Sequence, residues 1–480
     1  MRSRQLAALA AGLLAAAAPV LAGAAGPMDA EARAMFARVV ALDSSRNGRK
    51  VREVAEYLAG ELRTAGIAAD DIHILPLADT VSLVARYRGD SSGRKRAPRP
   101  IMLLAHMDVV TARREEWTRN PFELIEENGF FFGRGTADNK EGLVAIVAAI
   151  QRLEREKFVP ARDIILFFSG DEETAQFTTL DTARNHRELV DAEFALNSDA
   201  GGGTLDEQTG APLHYGLQTA EKIYADYLLT FHNPGGHSAS PRGDNAIYDL
   251  SRALARLADY RFPVMWNEAT IASLKLAGET TPGPLGQTLL RFATDPLDKE
   301  AADALFNEPG YVGQTRTTCV ATMLTGGHAP NALPQSATAT VNCRIFPGMP
   351  LATVRNTLIE LAGKNVEIKL LAEPFWSDAS PLRGDVLAAV TRSVQAVIPG
   401  VRVLPSQASG ATDGAVFRNV GIPTFGVSGV FMKNSDNFAH GLNERIPVKA
   451  FYDNLEIWYR LVKTLAGPAT AAAKNRYHPG

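Results

Sequence analysis

The sequence predicts an α/β fold: a mostly parallel sheet flanked by helices, interrupted by an inserted α+β unit. Two observations predict it. Continuous apolar runs such as Ile101–Ala105 and Ile164–Phe168 alternate with stretches of helical spacing, the pattern of strands buried on both faces. Between about residues 220 and 368 the pattern alternates in twos instead, as half-exposed strands do. The length agrees, since 480 residues exceed the roughly 250–300 at which a single core stops growing.

In chain order, Met1-Arg2-Ser3-Arg4 is short and positive, and Leu6–Ala18 is a run of Ala and Leu with one Gly. Pro19 breaks the run, and Ala22 and Ala24 stand at the −3 and −1 positions of a cleavage site. This three-part pattern predicts a signal peptide over residues 1–24 and a protein exported to the periplasm or secreted. No later stretch offers 18 consecutive apolar residues, so no membrane association is expected once the signal is removed. Helices are expected over Ala30–Leu42 and Val51–Ala65, separated by the turn cluster Asp43–Gly48 and closed by Gly66. Val81–Tyr87 and Ile101–Ala105 read as strands around a basic loop at 90–100. Asn139–Lys157 reads as a helix, Ile164–Phe168 and Phe194–Asn197 as buried strands. Thr424–Val427 adds a strand and Val448–Leu465 a closing helix. The α/β domain is thus expected over residues 25–219 and 369–480.

The insert, 220–368, reads as strand Tyr224–Phe231, helix Asn245–Tyr260, strands Thr317–Thr325 and Thr338–Phe346, helix Ala352–Lys364 and strand Val366–Leu371. That order is ferredoxin-like. Pro263–Gln314 within it reads as extra helices and loop covering one side.

Composition narrows the chemistry. A formal charge of −3 gives no reason to expect nucleic acid as a partner. Two cysteines exclude a disulfide scaffold and a Cys-rich zinc module. Any metal must therefore be held by His, Asp and Glu.

Residues of those types gather where strands end. His106 and Asp108 follow the strand at 101–105, and residues i and i+2 of an extended chain point the same way. Asp108 can then orient the His106 ring or reach the same site. Asp138 follows a Gly-Arg-Gly turn at a helix start, where a plain capping role is also open. Asp171, Glu172 and Glu173 follow the strand at 164–168, three acids that a nearby cation would relieve. Asp199 follows the strand at 194–197, and His440 lies near the C-terminus. That edge of an open α/β sheet is where ligands bind. His106, Asp138, Glu173, Asp199 and His440 are too many for one four-coordinate zinc with an open position. They suit two ions sharing a carboxylate, and an N/O set without sulfur fits zinc, with manganese or cobalt as substitutes.

Seven stretches in order then resemble a known family: Ala105–Val110, Phe132–Lys140, Ser169–Glu173, Asn233–Ser238, Pro330–Pro334, Cys343–Gly348 and Ala439–Glu444. They resemble the aminoacylase/carboxypeptidase family of dizinc exopeptidases, which includes carnosinase-like dipeptidases, carboxypeptidase S and glutamate carboxypeptidase. The resemblance implies two zinc ions per chain, His106 and Asp199 on one, Glu173 and His440 on the other, Asp138 bridging. It implies that Asp108 holds His106, that Glu172 is the general base, and that His237 of the inserted lid steadies an oxyanion, often across a homodimer. Asn331 and Arg344 would hold the substrate's terminal carboxylate, a task suited to a guanidinium fork. Ser409–Asp413 departs from the family's usual Gly-Gly-Thr-Asp and leaves the role of Asp413 open. An Asp at 199 resembles the dipeptidases and aminopeptidases more than the carboxypeptidases and deacylases, where a Glu is usual. The implied activity is hydrolysis of dipeptides or short peptides with a free carboxylate; an N-acyl-amino-acid amidohydrolase is the alternative. A metal-binding protein without catalysis is disfavoured, because Glu172 is retained.

Cys319 and Cys343 stand symmetrically about Asn331, so a regular hairpin would set them face to face. Export permits a disulfide. A bridge demands one register and one geometry, so two free thiols are the favoured expectation.

Overall fold

The computed structural model describes residues 27–90, 92, 98–363 and 365–468. The expected signal peptide and part of the basic loop lie outside the described residues.

Strands Ile101–His106, Ile164–Ser169, Phe194–Asn197 and Thr424–Gly426 lie side by side and parallel, the first three buried at every residue. Their Ile, Leu and Phe side chains leave both faces for helices to cover. Helices Pro27–Val40, Val51–Thr64, Lys140–Arg155 and Val448–Ala466 share one continuous core with one face, including Phe36, Leu58, Ile146 and Trp458. A second cluster, with Met102, Phe167 and Phe417, covers the other. Antiparallel strands Ile72–Leu77 and Thr80–Tyr87 extend one edge. Pro212–Glu221, Gly202–Leu205, Phe431–Met432 and Arg402–Ala408 extend the other, giving ten strands in all.

His106 pairs with Ser169, and Leu104 with Asn197. The parallel strands therefore end at one level, and the loops that follow them converge.

Only Lys222 separates Pro212–Glu221 from strand Ile223–His232, which opens a second sheet. That sheet runs Thr318–Gly326, Ser336–Ile345, Ile223–His232, Val366–Leu370, every pair antiparallel. With helices Ala246–Asp259 and Leu351–Ala362 it has the ferredoxin-like order. Its apolar residues, among them Tyr227, Leu250, Val341 and Leu358, form their own core.

Residues 263–316 carry helices Glu268–Thr280, Pro284–Thr294, Lys299–Phe306 and Val312–Thr315, packed around Leu274, Leu289, Phe292 and Leu305. The first of these helices leans on the edge strand of the large sheet. Asn267 Nδ2 donates to Gln407 Oε1 at 2.7 Å, and Arg402 Nη1 to Glu279 Oε2 at 2.7 Å. An edge that would otherwise expose strand backbone is thereby covered.

Cys319 and Cys343 are joined in a disulfide, against the expectation of free thiols. The reason is register: the two face each other directly across strands Thr318–Gly326 and Ser336–Ile345.

Candidate active site

The converging loops bring the carboxylates and imidazoles together. His106 Nδ1 donates to the Asp108 carbonyl at 3.0 Å. That bond fixes the tautomer and leaves the Nε2 lone pair facing the cluster. Nε2 stands 2.9 Å from Asp138 Oδ1 and 3.6 Å from Asp199 Oδ1. His440 Nε2 stands 3.1 Å from Asp138 Oδ2 and 2.9 Å from Glu173 Oε2. Asp138 thus turns one oxygen to each histidine.

The donor set fits metal ions. Neighbouring ligands on a tetrahedral ion with bonds of about 2.0–2.1 Å stand about 3.3 Å apart. The four nitrogen–oxygen separations, 2.9 to 3.6 Å, bracket that value. Two groups of metal-ligating atoms converge, one of His106, Asp138 and Glu173, the other of His106, Glu172 and Asp199.

The electrostatics agree. Burial pushes the Asp199 carboxyl up to about 8, with Asp138 adding to the rise against the pull of His106. Burial and Asp199 likewise hold Glu172 well above the usual carboxylate range. Burial opposes ionisation of Asp138, yet His106 and His440 hold its carboxyl well below that range. Hydrogen bonds to Asp138 and Glu173 push His440 up to about 10. Like charges crowded in a half-dry cleft are what a divalent cation relieves.

Asp108 approaches the His106 ring with both its carbonyl and its carboxylate. Its carboxylate lies 3.6 Å from His106 Nδ1. The same carboxylate accepts the backbone N–H groups of Glu172 and Glu173, at 3.1 and 3.0 Å. Asp171 turns away from the other two acids and accepts the N–H groups of Phe177 and Thr178. Glu172 Oε1 accepts from Gln176 Nε2 at 2.9 Å.

Residues without an assigned role in the sequence hold the loops. Glu444, fully buried, accepts the N–H groups of Ala137 and Asp138 at 2.8 and 3.1 Å. Its other oxygen accepts from Arg134 Nη1 at 2.5 Å, and Arg134 Nη2 donates to the carbonyls of His440 and Gly441. Asp413 accepts from Ser169 Oγ and from Thr179 Oγ1, the latter at 2.6 Å. Asn197 Nδ2 donates to Thr412 Oγ1 at 3.1 Å. Residues 412–413 thus tie down the ends of two central strands. Lys140 Nζ donates to the carbonyls of Val39 and Leu42, both at 2.8 Å. Gly142 lets this helix approach the Asp199 loop, since a Cβ there would stand 2.3 Å from Ser198 Oγ. For two of them a signal was present: Arg134 and Asp413 are charged side chains inside stretches otherwise built of Gly, Ala and Thr.

The expected site residues of the insert are held by other contacts. His237 is exposed on the two-residue strand Gly236–His237, paired with Ala332, and its Nδ1 accepts from Ala239 N. Asn331 accepts the Ser238 N–H through its carbonyl. Arg344 stands over the Tyr224 ring at 4.5 Å and donates to the Ser409 carbonyl at 3.3 Å, across to the loop that carries Asp413.

Residues 102–464 match peptidase family M20/M25/M40. The chain belongs to that family. As an M20 member it is a hydrolase of a metal-dependent peptidase family. It is 28% identical over 381 residues to the N-fatty-acyl-amino acid synthase/hydrolase PM20D1 of Homo sapiens, covering 76% of this chain and 74% of the relative. It is 26% identical over 397 residues to a probable carboxypeptidase S-like protein of Dictyostelium discoideum, covering 80% and 74%. The M20 fold is shared with the metallo-carboxypeptidase Sso-CP2 of Sulfolobus solfataricus, at TM-score 0.68 and 19% identity over 90% and 99% of the two chains. Human carnosine dipeptidase 1 gives TM-score 0.61 at 15% identity, over 92% and 98%.

Proposed function

We propose that this M20 hydrolase is an exported dizinc exopeptidase acting on dipeptides or short peptides with a free terminal carboxylate. One observation carries the reading: Asp138 presents one oxygen to His106 and the other to His440, each beside a further carboxylate. In this reading His106, Asp138 and Asp199 hold one zinc, and His440, Asp138 and Glu173 the other, with manganese or cobalt as substitutes. Such ions supply a water of lowered pKa and a Lewis acid for the amide carbonyl. Glu172 accepts the proton of the attacking water and returns it to the leaving amine. Arg344 and Asn331 take the substrate carboxylate, Arg344 with the planar fork that carboxylates match. Residues 1–24 are the proposed signal, 25–219 and 369–480 the catalytic domain, and 220–368 the lid. Among the described residues no helix is long and apolar enough to cross a membrane.

His237 faces solvent in its own chain, which favours supply to a partner's site within a homodimer. The edge strand Thr318–Gly326 supports that assembly, exposing Val320, Met323 and Leu324 beside Tyr248. An uncovered apolar edge is a pairing surface.

The second reading, an N-acyl-amino-acid amidohydrolase, is favoured by the likeness to the N-fatty-acyl-amino acid synthase/hydrolase of Homo sapiens. A panel of dipeptides, N-acetyl amino acids and N-fatty-acyl amino acids, run on zinc-replete protein, decides between them. Activity confined to acyl amino acids overturns the peptidase reading. Glu172→Ala should lower kcat by about 10²–10⁴-fold while metal content stays that of wild type. Wild-type kcat in that variant overturns the base assignment.

A further inference from the structure

Beside the metal centre lies a cavity of about 300 Å³. Asp138 and Asp199 line it, as do Glu141 and the glycine run 201–203. No Lys, Arg or His is among its lining residues. Asp138 and Asp199 are committed to the ions in the reading above. Glu141 is not: it falls in neither group of converging metal ligands among the described residues.

Glu141 is 2% exposed, in the first turn of helix Lys140–Arg155. Asn139 Nδ2 reaches its Oε1 at 3.4 Å, and its Oε2 has no hydrogen-bond partner. A buried carboxylate left half-satisfied is costly, and the positive end of the helix offsets only part of that cost. A cation in the cavity offsets the rest.

We propose that this cavity is a cation subsite, in which Glu141 receives the free α-ammonium of the substrate's N-terminal residue. The proposal rests on the peptidase reading. In a dipeptide the scissile carbonyl carbon and the α-nitrogen are separated by two bonds, about 2.5 Å. A carbonyl held at the metal centre therefore places its ammonium next to that centre, on the side Asp138 and Asp199 share with Glu141. An N-acyl amino acid brings only an apolar chain to the same wall. The subsite thus selects peptides over acyl amino acids.

The test uses full-length, zinc-replete enzyme and two substrates, Ala-Ala and lactyl-alanine, in which a hydroxyl replaces the ammonium. Wild type should prefer Ala-Ala by about tenfold or more in kcat/KM, the scale of one charge-assisted hydrogen bond. Glu141→Gln keeps the shape and removes the charge. It should bring the ratio near unity, mainly through KM for Ala-Ala, with metal content unchanged. Glu141→Asp should restore part of the preference. If Ala-Ala is cleaved but Glu141→Gln leaves the ratio untouched, the subsite is wrong and the peptidase reading stands. An equal loss on both substrates assigns Glu141 a structural role and also overturns the subsite. If neither is cleaved and acyl amino acids are, the peptidase reading fails and takes the subsite with it. The wild-type ratio needs no variant, and a ratio of one overturns the subsite by itself.

Discussion

The Asp108 carboxylate closes on the backbone of Glu173, accepting its N–H at 3.0 Å, with the Glu172 N–H 3.1 Å from the other oxygen. One residue therefore sets both halves of the centre. Its carbonyl holds the His106 ring, and its side chain holds the turn that carries the proposed base and a proposed ligand.

Asp108→Asn puts an amide NH₂ against one of those backbone donors. We expect a 10–100-fold loss in metal affinity or kcat, the usual cost of disturbing groups that orient ligands. Metal titration and steady-state kinetics read it. Wild-type values for both would show that the turn holds its shape without the carboxylate.

Glu444 and Arg134 link the two loops that carry Asp138 and His440. Both side chains are almost wholly buried, at 0% and 3% exposure. Removing one partner leaves the other charge stranded out of water. Glu444→Ala should cost about 3–5 kcal/mol of stability. Denaturant unfolding measures it, and a cost under about 1 kcal/mol would mean that water replaces the lost partner.

Legibility followed burial. The four parallel strands read easily because each is a short unbroken apolar run, and His106, Glu172, Glu173 and Asp199 read with them because each follows one. Strand Pro212–Glu221 did not read, since it mixes buried Gln218 and Thr219 with exposed Pro212 and Leu213. Helix Gly384–Val397 also went unread, although Val386, Val390 and Val394 recur at helical spacing. The grip of Asp108 on the Glu172–Glu173 turn has no periodic signal, because the strand ends at His106 and the contact is made beyond it. His440 sits in a loop with φ +63°, where no periodicity could place it; the motif alone did. The Glu444–Arg134 link joins residues 310 apart, a relation that only the fold supplies.

Lys222 makes stability depend on pH. Burial, with Arg344 adding, pushes its ammonium down to about 7 from the ordinary 10.5. Between those values the unfolded chain binds a proton that the folded chain does not, so stability rises with pH across that window. The slope is at most about 1.4 kcal/mol per pH unit. From pH 7.5 to 9.0 wild type should gain about 2 kcal/mol more than Lys222→Met. Parallel stability curves for the two proteins would show that Lys222 keeps an ordinary pKa.

The bridged hairpin carries a single extra residue. Near the turn, Met323 pairs with Thr340 and Gly326 with Ala337; past a bulge at Thr322, Ala321 pairs with Val341 and Cys319 with Cys343. Were Thr322 instead paired regularly with Val341, the register of the turn end would continue and Cys319 would face Arg344. A slip of one residue also sends side chains to opposite faces of the sheet. Deleting Thr322 removes the extra residue, sets Ala321 directly beside Met323 and leaves Cys319 opposite Cys343, so the deletion variant, like wild type, should show no free thiols when labelled unfolded without reductant. The bridge closes a span of 24 residues, and its loss in Cys319→Ser/Cys343→Ser should cost about 3 kcal/mol. Metal content should not change, because both cysteines lie in the sheet of the insert and outside the converging metal-ligand groups. Two free thiols in the deletion variant would show that the two cysteines do not keep their register once the bulge is gone.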